Sequence, residues 1–233
     1  MSGAPALIVL QARMGSRRLP SKVMAPLAGH PLVEYCIVRL CASGVGPVVL
    51  ATTTEPEDAS LVALGARLGV LTWTGPVDDV LRRYADVVCA HPDTHYVIRA
   101  TADNPFVDID APRRVLKTLG DGADYVVEEA LPLGAAVEGV RRGVLLQAQR
   151  AATTSYDREH VTPWVRRANG IVRALPMAPD QVQAPDLRLT VDTPSDLAHV
   201  QHLADALLAR GVDPRLAPLP DVIACARQLQ GDA

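Results

Sequence analysis

Long hydrophobic runs are missing from this 233-residue chain. No segment approaches the roughly 18 apolar residues of a membrane-spanning helix, and no basic stretch precedes the first apolar run. Neither an anchor nor a targeting segment is expected, and the cytoplasm is the expected compartment. Cysteine is scarce. Cys36, Cys41, Cys89 and Cys225 show no C-x-x-C spacing, which argues against a zinc site or disulfide framework and reads as reduced, partly buried thiols. An excess of charge of one sign is also lacking: 23 Lys and Arg stand against 26 Asp and Glu, a net charge of −3. Nothing draws the chain as a whole to nucleic acid or to an anionic membrane. Internal repeats, low-complexity linkers and the motifs G-x-G-x-x-G, G-x-x-x-x-G-K-[ST] and G-x-S-x-G are absent, so a dinucleotide fingerprint, a Walker loop and a nucleophile elbow are not in play.

What is present is apolar content of 48%, enough for one well-buried core, and a single domain over 1–233 is expected. Short apolar or β-branched runs at Ala6–Leu10, Val48–Thr52, Val70–Trp73, Tyr96–Ala100 and Ala123–Val127 lack clean alternation and read as buried parallel strands. Between them, Pro31–Ser43, Asp58–Leu68, Asp78–Ala90 and Ala111–Leu119 carry helical spacing. Strand alternating with helix predicts an α/β fold, a mainly parallel central sheet flanked by helices. Later, Arg141–Thr153, Ser195–Arg210 and the tail read as helices, Leu131–Ala136 as loop, and Ile171–Leu175 and Leu187–Val191 as strands.

The first turn concentrates charge. Arg13, Arg17, Arg18 and Lys22 surround Gly15-Ser16 directly after the first strand. In an open α/β sheet ligands sit beyond the carboxyl ends of the strands, so this loop is the favoured place for a phosphate. Gly15 lets backbone N–H groups approach, and Arg13, Arg17 and Lys22 can neutralise the anion. A solvated loop is the plain alternative.

The string Q-A-R-M-G-S-x-R-L-P-x-K-V, followed by P-L-x-G-x-P-L-x-E, resembles the opening of the SpsF-like cytidylyltransferases, relatives of the CMP-sialate and CMP-KDO synthetases. The resemblance continues through ATTTEPED (51–58), GPVDDVLRRY (75–84), RATADNPFVD (99–108), DREHVTPWV (157–165) and LRLTVDTPSDL (187–197). It implies a Rossmann-like nucleotidyltransferase domain that uses CTP and Mg²⁺ to make a CMP-activated product, with a small-molecule acceptor. On the matching positions it implies nucleotide contacts from Gln11, Ala12, Arg13, Gly15, Ser16, Lys22, Thr53, Arg99 and Ala102, with Gly75 and Asp79 as candidates for ribose or base. Arg13, Lys22, Asp103 and Asp192 are the implied catalytic set, Asp103 and Asp192 holding the metal.

Attack on the α-phosphorus piles negative charge on phosphoryl oxygens and pyrophosphate, which calls for a hard cation on oxygen ligands. Asp103 and Asp192 each follow a predicted strand, so both are expected at the carboxyl edge beside Gly15. Taken singly, Asp103 also suits an Asx turn and Asp192 a helix N-cap, and Asp196 suits the first turn of its helix. Asp78 or Asp79 suits a helix start, and Arg99 either reaches the nucleotide or pairs with a buried carboxylate. Glu159 and His160 are either a structural pair or part of an acceptor pocket with Glu138. His30 reads as a surface loop residue. Where the family often has G-x-D-x-E-x-F, this chain has Gly134-Ala-Ala136-Val-Glu138-Gly-Val140, so an unusual acceptor is expected. The segment 128–175 is expected to form an acceptor-side lid or the interface of a homodimer. A transferase using another nucleoside triphosphate and a non-catalytic nucleotide-binding module stand as alternatives.

Overall fold

The structure, a computed structural model, describes residues 6–16 and 18–231. In chain order the elements are β1 (Ala6–Gln11), a short hairpin of β2 (Pro26–Leu27) and β3 (His30–Pro31), α1 (Leu32–Ala42), β4 (Val48–Thr53), α2 (Ala59–Arg67), β5 (Leu71–Gly75), α3 (Val80–Ala90), β6 (Tyr96–Thr101) and α4 (Ala111–Gly120). There follow β7 (Tyr125–Val127), β8 (Glu138–Arg141), α5 (Arg142–Ala151), α6 (Ser155–His160), α7 (Pro163–Arg167), β9 (Arg173–Ala174), α8 (Pro194–Ala209) and α9 (Leu219–Gly231).

Seven strands form one sheet in the order β5-β4-β1-β6-β8-β7-β9. The first four are mutually parallel, β8 runs antiparallel to both β6 and β7, and β9 pairs parallel with β7. β1 is central and covered on both faces, which is why it is written as an unbroken apolar run. Ile8 and Leu10 pack into the cluster that holds α1, α2, α4, α8 and α9; Leu7 and Val9 pack into the one that holds α3 and α5. Each such fully buried side chain contributes about 1.5–3 kcal/mol.

The first five of the seven expected strands and all seven expected helices form, within a few residues at their ends. Two late strands are corrected. Ile171–Leu175 shrinks to the two residues of β9, and Leu187–Val191 is extended but lies outside the sheet, making one isolated parallel bridge, Leu133 to Arg188. Its would-be partner cannot continue a ladder: Gly134 turns the chain at φ +99, and the Ala135 N–H, next in line, donates back to the Pro132 carbonyl (2.9 Å). Gly134 also approaches the extended segment so closely that a Cβ there would lie 2.7 Å from Thr190 N. The antiparallel β8, the β2/β3 hairpin and the short helices α6 and α7 went unread in the sequence. His30 is a hairpin residue rather than a loop one, its Nδ1 2.7 Å from Glu34 Oε1.

Candidate active site

A cleft of about 720 Å³ opens at the carboxyl ends of β1 and β6, large enough for a nucleotide and a small acceptor. Its floor begins where the apolar run of β1 stops at Gln11. The loop that follows is pinned at one residue. The Met14 carbonyl accepts the N–H groups of Ser16 (2.8 Å) and Ser21 (3.0 Å), and the Met14 N–H donates to Asp58 Oδ1 (2.7 Å). Ser21 then takes a left-handed conformation, φ 57, and starts a 3-10 turn that carries Lys22. Arg17 lies outside the described residues.

Lys22 Nζ donates to the Val191 carbonyl (2.7 Å) and stands 3.2 Å from both Asp103 Oδ2 and Asp192 Oδ1. Asp103 is fixed from its other oxygen by Thr101 Oγ1 at 2.6 Å, itself held by the Asn104 amide. The Asx turn that suited Asp103 taken singly does not form: its carboxylate accepts from the side chains of Thr101 and Lys22 and from no backbone N–H among the described residues. Contrary to expectation, Asp192 does not follow a strand of the sheet; the Val191 N–H donates to the Asp103 carbonyl (2.8 Å) and brings it beside Asp103. Arg18 (2.8 Å) and Arg188 (3.0 Å) also pair with Asp192. Thr193 caps α8 in a capping box with Asp196, and Asp196 accepts the Asp192 N–H (2.9 Å). The Arg188 guanidinium, with those backbone donors, holds the Asp196 carboxyl far below its usual range.

α6 closes one side of the cleft with Ser155, Glu159 and His160. Thr154 caps it, accepting the Asp157 N–H at 3.1 Å. Arg13 reaches Glu159 (3.3 Å) and Arg158 reaches Asp79 (3.3 Å), so α6 is tied both to the first loop and to the start of α3. The His160 ring lies 4.5 Å from that of Tyr156.

Of the expected contact residues, Gln11, Ala12, Arg13, Gly15, Ser16, Lys22, Arg99, Ala102, Asp103, Glu159, His160 and Asp192 line the cleft. Four do not. Thr53 is buried and donates its N–H to Asp58 Oδ2 (3.0 Å). Gly75 packs against the Arg83 stem. Asp79 caps α3, accepting the Arg82 N–H at 2.8 Å. Glu138 stands beside Arg99 in the β6/β8 register and pairs with it at 3.3 Å, so Arg99 both faces the cleft and holds a carboxylate. Ala136 and Val140, where the family pattern departs, pack into the apolar clusters. The sequence reading missed Asp58 and Arg83. Both lie in blocks that carried the resemblance, and burial of a charged side chain was the signal that only the fold could supply.

A family model described as cytidylyltransferase matches residues 7–213. The chain is 33% identical over 205 residues to the spore coat polysaccharide biosynthesis protein SpsF of Bacillus subtilis, a match covering 84% of this chain and 85% of that protein. It is 34% identical over 106 residues to the 3-deoxy-manno-octulosonate cytidylyltransferase of Methylorubrum populi, covering 44% and 42%. A solved cytidylyltransferase from Leptospira borgpetersenii superposes with a TM-score of 0.87 over 97% of this chain and 95% of that one, at 23% identity, a likeness of fold. The match to the family along nearly the whole sheet, cleft included, makes this chain a nucleotidyltransferase that belongs to the cytidylyltransferase family.

Proposed function

We propose that the protein transfers CMP from CTP to a hydroxyl of a sugar or sugar acid, releasing pyrophosphate, with Mg²⁺ held by Asp103 and Asp192. The observation that carries this reading is the meeting of Asp103, Asp192 and Lys22 at one point of the cleft, the ammonium within 3.2 Å of both carboxylates. Among the described residues no group of three or more His, Cys, Asp or Glu is placed to cage an ion. Two carboxylates completed by substrate phosphates is nevertheless the common way of holding Mg²⁺, so the donor set fits. When bound, the ion would stabilise charge on the phosphoryl oxygens.

The chain's own groups do the rest. The Gly15 N–H and the Ser16 hydroxyl are offered to the triphosphate, and Arg13 and Lys22 neutralise it. A bond forms from the acceptor oxygen to the α-phosphorus as the bond to the β-phosphate bridge breaks, and the hydroxyl proton leaves to solvent. Positioning and charge stabilisation carry such a transfer, with no covalent nucleophile. Relatives named for polysaccharide and octulosonate chemistry support a sugar-type acceptor. Exposed Val172, Leu175 and Met177 along the β9 edge support a homodimer.

Pyrophosphate release, measured with each of CTP, UTP, GTP and ATP against sugars and sugar acids, tests the reading. Release with CTP and its loss on chelation are expected. Turnover with another triphosphate but not CTP would overturn the donor, and CTP binding without release for any acceptor would favour a binding module.

A further inference from the structure

Asp103 and Asp192 reach the cleft by different routes. Asp103 follows β6, a strand paired on both sides, whereas Asp192 follows Leu187–Val191, which meets its neighbour in the single bridge of Leu133 to Arg188. A side chain on so lightly paired a segment needs a further tie to hold one direction, and Arg188 supplies it. Leu187, Leu189 and Val191 are buried in the core while Arg188 and Asp192 are not, so the extended period of two sets the arginine and the aspartate on the same side.

The guanidinium is itself anchored. Its Nε donates to Asp196 Oδ1 (2.8 Å) and its Nη2 to Asp196 Oδ2 (3.1 Å), while the same Nη2 donates to Asp192 Oδ2 (3.0 Å). Asp196 is fixed in turn, because its Oδ2 also accepts the N–H groups of Asp192 and Thr193, each at 2.9 Å. The planar fork therefore transmits the position of the α8 cap to the Asp192 carboxylate. Each acid of the cleft is thus held by one oxygen, Asp103 Oδ1 by Thr101 (2.6 Å) and Asp192 Oδ2 by Arg188. The oxygens left over, Asp103 Oδ2 and Asp192 Oδ1, are the two that converge on Lys22 Nζ, and Arg18 meets the second of them at 2.8 Å. Arg188 does not line the cleft, so its influence there passes through Asp192. With its side chain 42% exposed, its ion pairs contribute little to folding.

Resting on the proposed transfer, with its metal on Asp103 and Asp192, we infer that Arg188 is a positioning residue: its fork, anchored on Asp196, orients the Asp192 carboxylate so that Oδ1 is the oxygen offered to Mg²⁺. The sign of the effect sets this role apart from a purely electrostatic one. A cation beside a metal ligand repels the incoming dication, so on charge alone the loss of Arg188 would tighten metal binding. Orientation works in the opposite direction. Hydrogen-bonded partners behind a metal ligand fix its geometry, and their loss costs about 10- to 100-fold in metal affinity or activity. Lysine, a compact ammonium on a flexible stem, keeps the charge but cannot hold both acids in one plane.

The test is equilibrium binding of Mn²⁺, the probe for the Mg²⁺ site, read by electron paramagnetic resonance in the presence of CTP. It compares wild type, Arg188→Met, Arg188→Lys, Asp192→Asn and the double variant Arg188→Met with Asp192→Asn, each held well below its unfolding temperature, with metal-free CTP binding measured alongside. In Arg188→Met and Arg188→Lys alike, Mn²⁺ affinity falls about 10- to 100-fold and metal-free CTP binding stays as in wild type. In the Asp192→Asn background Arg188→Met adds no further loss, as two residues acting as a unit require. Unchanged or tighter Mn²⁺ binding in Arg188→Met overturns the assignment, as does full recovery in Arg188→Lys, which would make the charge sufficient. An equal loss of metal-free CTP binding would make Arg188 a phosphate ligand, and an equal loss in both backgrounds would confine its effect to the α8 cap; either overturns it too. In all four cases Asp192→Asn still weakens Mn²⁺ binding and the transfer reading stands. Asp192→Asn binding Mn²⁺ like wild type would instead remove the metal pair itself, and the role of Arg188 with it.

Discussion

The Met14 N–H donates to Asp58 Oδ1 over 2.7 Å, joining the loop after β1 to the residue that precedes α2. The same carboxylate's other oxygen accepts from Thr52 Oγ1 (2.9 Å) and the Thr53 N–H (3.0 Å). One buried acid therefore ties the loop after β1 to the end of β4.

Burial alone would raise the Asp58 carboxyl, but hydrogen bonds from Thr53, Met14 and Thr52 prevail and hold it below its ordinary value. A depressed folded-state pKa means that the stabilisation is fully present above the unfolded value, about 3.9, and is lost as pH falls through the folded one. Asp58→Asn is expected to cost about 1–3 kcal/mol at pH 7. Urea midpoints of wild type and variant should converge as the pH is lowered below about 4; a gap that held constant through acid would show that the charge on Asp58 contributes nothing.

Lys22→Ala should leave the fold intact and lower kcat/KM by about 10²–10³, the usual consequence of removing one preorganised charge stabiliser. Steady-state pyrophosphate release with circular dichroism as control measures it. Turnover near that of wild type would exclude Lys22 from the phosphate cradle.

Asp103→Asn and Asp192→Asn should each raise the Mg²⁺ concentration needed for half-maximal activity, since a neutral amide oxygen is a poorer ligand for a hard dication. Metal titration of activity reads this, and ion-probe binding in the presence of CTP reads it without turnover. Both variants titrating like wild type would remove the pair as metal ligands.

At micromolar concentration light scattering should return twice the mass of the 24.8 kDa chain, two-fold pairing being the commonest closed arrangement. Met177→Glu, a charge placed on the exposed β9 edge, should return the monomer mass. A monomeric wild type would refute the dimer, and a Met177→Glu dimer would move the interface elsewhere.

By itself the sequence determined the alternation of strand and helix, because a strand buried on both faces must be apolar throughout and a helix must present one apolar stripe. It also drew attention to the loop after β1, since Arg13, Gly15, Ser16 and Lys22 fall within ten residues of one another, and the motif order disclosed the family. Only the tertiary structure decided the rest. β8 is four residues, Glu138-Gly-Val-Arg141, with no periodicity to read, and it becomes a strand because β6 and β7 each offer it a ladder. Leu187–Val191 looks like a strand, yet the turn at Gly134 limits its pairing to one bridge at Leu133. Whether Glu138 meets a ligand or Arg99, and which groups stand beside Arg83, depends on residues in other elements of the fold. Pairing and burial of charge are properties of the folded neighbourhood, where the dielectric and the partners are set, and no local pattern of side chains encodes them.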